Sequence, residues 1–204
     1  MRVTDSDEVL AYWFGQAAVD PAAVAAQYAL WFRGGAEVDA AIAARFGATI
    51  EAAARGALAS WKATPRGTLA YILVCDQFPR NVWRGTARAY SLDGFALAAA
   101  RDALGGGQYA SLAPVERAFV LMPFEHSESL DDQRTCVAEF SALVRDAAGP
   151  WQAQMAGFLD YSRQHLALIE RFGRFPHRNR LLGRTSTAAE VAFLEGGGAV
   201  FGQG

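Results

Sequence analysis

Apolar side chains recur at three- and four-residue spacing along most of this 204-residue chain, and strict apolar–polar alternation is almost absent, so the pattern predicts helices rather than strands. Leu69, Ile72 and Leu73 share one helical face, and Leu130, Val137, Phe140 and Val144 share another. Asp20-Pro21, Thr64-Pro65, Ala113-Pro114 and Gly149-Pro150 place proline at first helical positions, and Thr187-x-x-Glu190 is a capping box. These signals predict about ten helices, near 5–14, 20–33, 37–46, 49–61, 65–77, 87–104, 114–122, 128–147, 150–172 and 187–194. Short connections with no Pro-, Gly- or Ser-rich linker fold them into one all-α domain of antiparallel hairpins over residues 1–195. Leu104-Gly105-Gly106-Gly107 reads as a helix stop and loop, and the glycine-rich tail 196–204 as loosely held except for Val200 and Phe201.

Three phrases do not fit a plain amphipathic pattern. Phe78-Pro79-Arg80-Asn81 and Phe175-Pro176-His177-Arg178-Asn179 are near-copies, and Met122-Pro123-Phe124-Glu125-His126-Ser127-Glu128 is a third proline-bearing helix end. Proline disfavours helical backbone at the residue before it, so each phrase is expected to end a helix and turn its polar residues toward what lies beyond. Asp76 falls on the apolar stripe of its helix, where a buried carboxylate needs a partner; Arg80, Arg84 or an arginine of the second phrase qualifies. Arg84, Arg171, Arg174, Arg180 and Arg184 crowd the same phrases, and gathered cations repel unless an anion or carboxylates lie among them.

The candidate catalytic residues are therefore His126, with Glu125 or Glu128 holding its tautomer, and Asp76. The candidate ligand-binding residues are Arg80, Asn81, Arg84, Gln133, His165, Arg174, His177, Arg178, Asn179 and Arg184. Each also has a structural explanation. Cations near helix carboxyl ends meet orphan carbonyls, asparagines suit left-handed turns, and His165 lies in line with Phe158, Ser162, Ile169 and Phe172 as a core histidine does. Ser127 lacks a nucleophile elbow and reads as a cap. His126, His165, His177 and Glu128 have no short ligand spacing, so no metal is expected. Gly105–Gly107 and Gly196–Gly198 carry no nucleotide-binding pattern, and no cofactor is expected.

Composition narrows the partners. Net charge is −2, which argues against capture of nucleic acid or anionic lipid, although residues 163–184 are locally basic. The longest apolar run, Leu69–Cys75, is far short of the about 20 residues that cross a bilayer. Residues 1–8 are acidic without an apolar run, which predicts no signal peptide, and Cys75 and Cys136 belong to no paired motif. A soluble cytoplasmic protein is expected, its partner an anionic small molecule or an acidic peptide. Neither turnover nor oligomeric state is readable.

The run Leu73-x-x-Asp76-Gln77-Phe78-Pro79-Arg80-Asn81-x-x-Arg84-Gly85-Thr86, the phrase 122–128, and His165 with Arg171-Phe172-Gly173-Arg174-Phe175-Pro176-His177-Arg178-Asn179-x-x-Leu182-Gly183-Arg184-Thr185-Ser186-Thr187 together resemble the bacterial family known as domain of unknown function 924. The resemblance spans nearly the whole chain, from Trp13-Phe14-Gly15 to Phe193-Leu194. It implies an all-helical fold similar to tetratricopeptide-repeat superhelices and brings no catalytic residues with it. Cys75 stands where aliphatic residues look more usual.

Overall fold

The computed structural model describes residues 2–201, Gln108 through its backbone alone; the last three residues of the tail segment read from the sequence lie outside that range. The described residues are mostly helical and contain no strand: α1 (Ser6–Phe14), α2 (Val24–Tyr28), α3 (Ala36–Ala54), α4 (Pro65–Val82), α5 (Asp93–Gly105), α6 (Pro114–Glu125), α7 (Leu130–Asp146), α8 (Pro150–Phe172) and α9 (Ala188–Glu195), joined by short turns. Among them, no helix is long and apolar enough to cross a membrane. Helix starts follow the sequence signals. Thr64 Oγ1 accepts from the Gly67 N–H at 3.1 Å, Ser129 Oγ caps α7, and Thr187 and Glu190 form the capping box of α9.

α4 is the axis of the molecule. Every residue from Gly67 to Asn81 is buried, and the helix packs against α1, α3, α5 and α6. Trp13, Phe14, Phe46, Phe78 and Phe119 interlock around it in edge-to-face and tilted contacts. Each such ring stabilises by about 1.5–3 kcal/mol when fully buried. Sequence-adjacent helices pair as α3–α4, α4–α5, α6–α7 and α7–α8. A smaller apolar cluster of Leu168, Ile169 and Phe175 closes the far end of α8.

Two expectations are corrected here. The separate helices near 37–46 and 49–61 are one continuous α3, whose Thr49, Ile50, Ala52 and Ala53 are buried, with only a 3-10 turn at Ala59–Ala63 beyond it. Tertiary burial of that face outweighs the local weakness of Gly47. The prolines of the first and third phrases end nothing. α4 runs through Pro79 to Val82, and α6 runs through Pro123 to Glu125. An interior proline costs about 3 kcal/mol. Burial of Phe78 on one side and of Arg80 and Asn81, with their partners, on the other offsets it. The second phrase meets the expectation only in its backbone: Phe175 is extended (φ −88°, ψ 108°) and Pro176 opens a 3-10 turn, but α8 has already ended at Phe172.

Candidate active site

α4 and α6 cross so that Asp76, buried to 0% exposure, meets His126 at the end of α6. His126 Nδ1 lies 2.8 Å from Asp76 Oδ1, Gln77 Nε2 donates to Oδ2 at 2.6 Å, and Arg80 Nη1 donates to the Asp76 carbonyl at 2.9 Å. Burial opposes ionisation of Asp76, but the Arg80 charge and the His126 and Gln77 hydrogen bonds outweigh it and hold the carboxyl well below its usual range. An ionised acceptor makes Nδ1 the donor, so His126 keeps Nε2 as its free nitrogen. Burial, reinforced by Arg80, lowers the His126 pKa and leaves the ring neutral.

His126 is one wall of a cavity of about 100 Å³, which Trp31, Phe32, Arg80, Arg84, Glu125 and His165 also line. Trp31 and Phe32 reach it from a single π-helical turn, Ala29–Arg33, a winding that recurs at functional sites. Gly34 follows with φ +56°, and a Cβ there would stand 2.8 Å from Arg84 Nη2. The positive φ favours glycine here, and the missing Cβ leaves room for the guanidinium.

Glu125 is the other unusual group. It is 3% exposed, its Oε2 has no hydrogen-bonding partner among the described residues, and its Oε1 is 3.6 Å from His165 Nδ1, too long for a hydrogen bond. Burial, with the Asp76 charge nearby, pushes its pKa up to about 8, so the carboxyl is protonated at neutral pH. His165 Nδ1 donates to the Tyr161 carbonyl at 3.0 Å, and burial lowers its pKa well below the ordinary value. Phe201 stacks on the His165 ring at 3.6 Å with a φ of +50°, a backbone setting that non-glycine residues rarely adopt.

The two FP phrases meet. The Arg80 and Arg178 guanidinium groups lie 5.7 and 4.8 Å from the centroid of the same Tyr90 ring, and Arg178 Nη1 donates to the His126 carbonyl at 3.0 Å. Four of the crowded cations have protein counterions. Arg80 makes a two-pronged bond to Asp93 (2.7 and 3.0 Å), Arg84 to Asp39 (2.9 and 3.0 Å), Arg184 to Glu128 (2.6 and 3.0 Å) and Arg174 to Glu190 (2.6 and 2.8 Å). Asn81 Nδ2 joins Asp39 at 2.8 Å. These four arginines therefore require no outside anion.

Several candidates stand apart from the cavity. Glu128 does not pair with His126; it accepts from the Phe175 N–H at 2.8 Å and from Arg184, fastening the second phrase to the start of α7. Glu125 is likewise not the tautomer-setting partner, which is Asp76. Consecutive residues on a helix point in different directions, whereas α4 presents Asp76 across the interface. Gln133 Nε2 donates to the carbonyls of Glu125 and Ser127, closing the end of α6. Arg174 lies with Glu190 on α9, Asn179 Nδ2 donates to Ser186 Oγ, and Asn179 is right-handed (φ −55°), not left-handed. His177 is half-buried beside Phe175, its pKa held down to about 3 by desolvation and by Arg178. Ser127 Oγ donates to Asp132 and accepts from the Ser129 N–H, a capping role. Asp39, Tyr90, Asp93 and Tyr161 carried no local signal, since each is one polar or aromatic residue whose partner lies on another element.

The family model described as "Bacterial protein of unknown function (DUF924)" matches residues 9–198. The chain belongs to this family. A solved structure, of a protein of unknown function, ATU0120, from Agrobacterium tumefaciens, is 32% identical to this DUF924 chain, with a TM-score of 0.78 over 94% of this chain and 97% of that one. No curated protein matches. The match spans all three proline-bearing phrases and the helices that bring them together.

Proposed function

We propose that this DUF924 protein binds a small molecule bearing a carboxylate or similar oxygen-rich group in the His126 cavity, and moves a proton on it. The observation that carries the reading is the buried Asp76–His126 hydrogen bond, 2.8 Å long, beside a protonated Glu125 on the same cavity. A neutral imidazole with its Nδ1–H held by a carboxylate offers Nε2 as a base. A carboxyl with its pKa near 8 offers a proton at neutral pH. Two titratable groups driven to opposite protonation states at one cavity are what acid/base chemistry requires, and such positioned groups contribute about 10²–10⁴ in rate.

Arg80, Asn81 and Arg84 line the cavity as donors, while their counterions Asp39 and Asp93 are not among its lining residues. An acceptor-rich ligand group therefore meets donors first. A space of about 100 Å³ holds a group of a few heavy atoms and is too small for an extended acidic peptide, which favours the small-ligand reading over a peptide-binding scaffold. Free, buried Cys75 and Cys136 support a reducing, cytoplasmic setting.

The test is a thermal-shift screen of small carboxylates, followed by proton NMR in D2O of each compound that raises the midpoint. The wild type is expected to exchange or convert the compound, and His126→Gln to bind it within about threefold yet lose turnover by 10² or more. Binding without any proton exchange or conversion overturns the catalytic half, and no binding overturns the whole.

A further inference from the structure

A second cavity of about 100 Å³ adjoins the first, sharing Phe32, Met122, Glu125 and Tyr161 with it, and is completed by Tyr28, Ala153, Gly157 and Phe158. The two differ in character. The His126 side carries two arginines, two histidines and two side-chain amides, whereas the annex is aromatic and aliphatic apart from Gln154 and Glu125. Glu125, 3% exposed and with Oε2 unpartnered, stands on the boundary. Buried oxygens without partners mark places where something polar is missing.

Gly157 adds an independent observation. It sits inside the 23-residue α8, where glycine costs about 1 kcal/mol relative to alanine. No positive φ and no close neighbour accounts for it, because a Cβ there would meet nothing within 4 Å. Ala153, one turn earlier, and Tyr161, one turn later, line the same space. Gly157 is itself exposed, so the annex is open on that side, and a larger side chain at 157 would stand at its border. At its mouth Tyr28, Phe32 and Tyr161 remain 44%, 37% and 45% exposed, aromatic surface that water does not favour.

We infer that the ligand is amphipathic, its oxygen-rich head on the donors of Arg80 and Arg84 beside His126, and a short aliphatic arm passing Glu125 into the annex over Gly157. A cavity of about 150 Å³ holds benzene, so about 100 Å³ matches an arm of roughly four carbons. This rests on the reading of the His126 cavity as a ligand site and adds the chemistry of what enters it.

Straight-chain carboxylates from acetate to octanoate, titrated by calorimetry into the full chain, test the arm separately from the head. Affinity is expected to rise about fourfold per methylene until roughly four carbons are housed, then level off. Gly157→Leu should keep acetate binding within twofold and erase the gain for pentanoate and longer, while Gly157→Ala, which folds at least as well as wild type, retains most of it. Acetate binding with no rise along the series overturns the arm alone. A rise unchanged in Gly157→Leu overturns its placement in the annex. Failure of every chain length to bind is the distinct result that removes the His126 cavity as a carboxylate site, and the arm with it.

Discussion

The first and second FP phrases share Phe, Pro, Arg and Asn yet are built differently. Pro79 lies inside α4, between Phe78 and Arg80, both buried, and the helix carries straight on. Before Pro176 the chain has already left its helix, because Gly173 takes a left-handed turn (φ +69°) and returns its N–H to the Ile169 carbonyl. The arginines differ as well. Arg80 is locked to Asp93 and lies 3.4 Å from Asp76, whereas Arg178 is buried with a carbonyl and the Tyr90 and Phe175 rings and makes no ion pair with the described residues. Burial and repulsion from Arg80 bring the Arg178 pKa down to about 10. A proline phrase thus sets no backbone fate by itself. The packing around it does, and it decides whether the arginine organises carboxylates or rests on rings.

The largest expected effect separates the two arginines. Arg80→Ala strands Asp76 and Asp93 and should cost about 3–5 kcal/mol by urea denaturation, since removing one partner leaves a charge buried alone. Arg178→Ala gives up one charge-assisted hydrogen bond and ring contacts, about 1.5–3 kcal/mol, and relieves repulsion with Arg80, so its cost should be clearly smaller. Equal costs would mean that the two phrases are energetically interchangeable.

Next in size is the fastening of the second phrase. Arg184→Ala removes the two-pronged bond to Glu128 and the contact with the Phe175 carbonyl at 3.2 Å, and should cost about 1–2 kcal/mol at this partly exposed site. Amide exchange should quicken from Phe175 to Arg184 while α4 stays protected; quickening in both would show one cooperative unit.

A further contrast lies in pH dependence. His177 is neutral in the fold with a pKa near 3, against an ordinary value of 6.5, so the unfolded chain binds the proton more readily. Its stabilising contribution is present above pH 6.5 and is lost as pH falls from there toward 3. Asp76, also depressed, loses its contribution only below its ordinary 3.8. Glu125, raised from 4.5 to about 8, runs the other way, stabilising less as pH climbs through that interval. His177→Gln should therefore flatten the fall in thermal midpoint between pH 6.5 and 4. An unchanged slope assigns the acid limb to His126 and His165 instead.

Helix content was legible because a 3.6-residue period, proline at N1 and serine or threonine caps are local. α8 was bounded correctly from Gly149-Pro150 to Gly173, and α9 from its capping box. The interior prolines of α4 and α6 were misread for the same reason in reverse: a local rule weighs about 3 kcal/mol, and burial of neighbouring rings, absent from any local window, weighs more. Asp76 was legible as a buried carboxylate on an apolar stripe, and His126 and Glu125 as groups concentrated at a helix end.

Amino-acid order alone determined that this chain is helical, where most helices begin, and that arginines, histidines and carboxylates gather at three proline-bearing phrases. Only the tertiary structure decided that His126 answers to Asp76, that Asp93 and Asp39 neutralise Arg80 and Arg84, and that Glu128 fastens a loop. Helix periodicity is a property of neighbours in sequence, but the partner of a buried charge is chosen by which helices cross, and at what angle, many residues away.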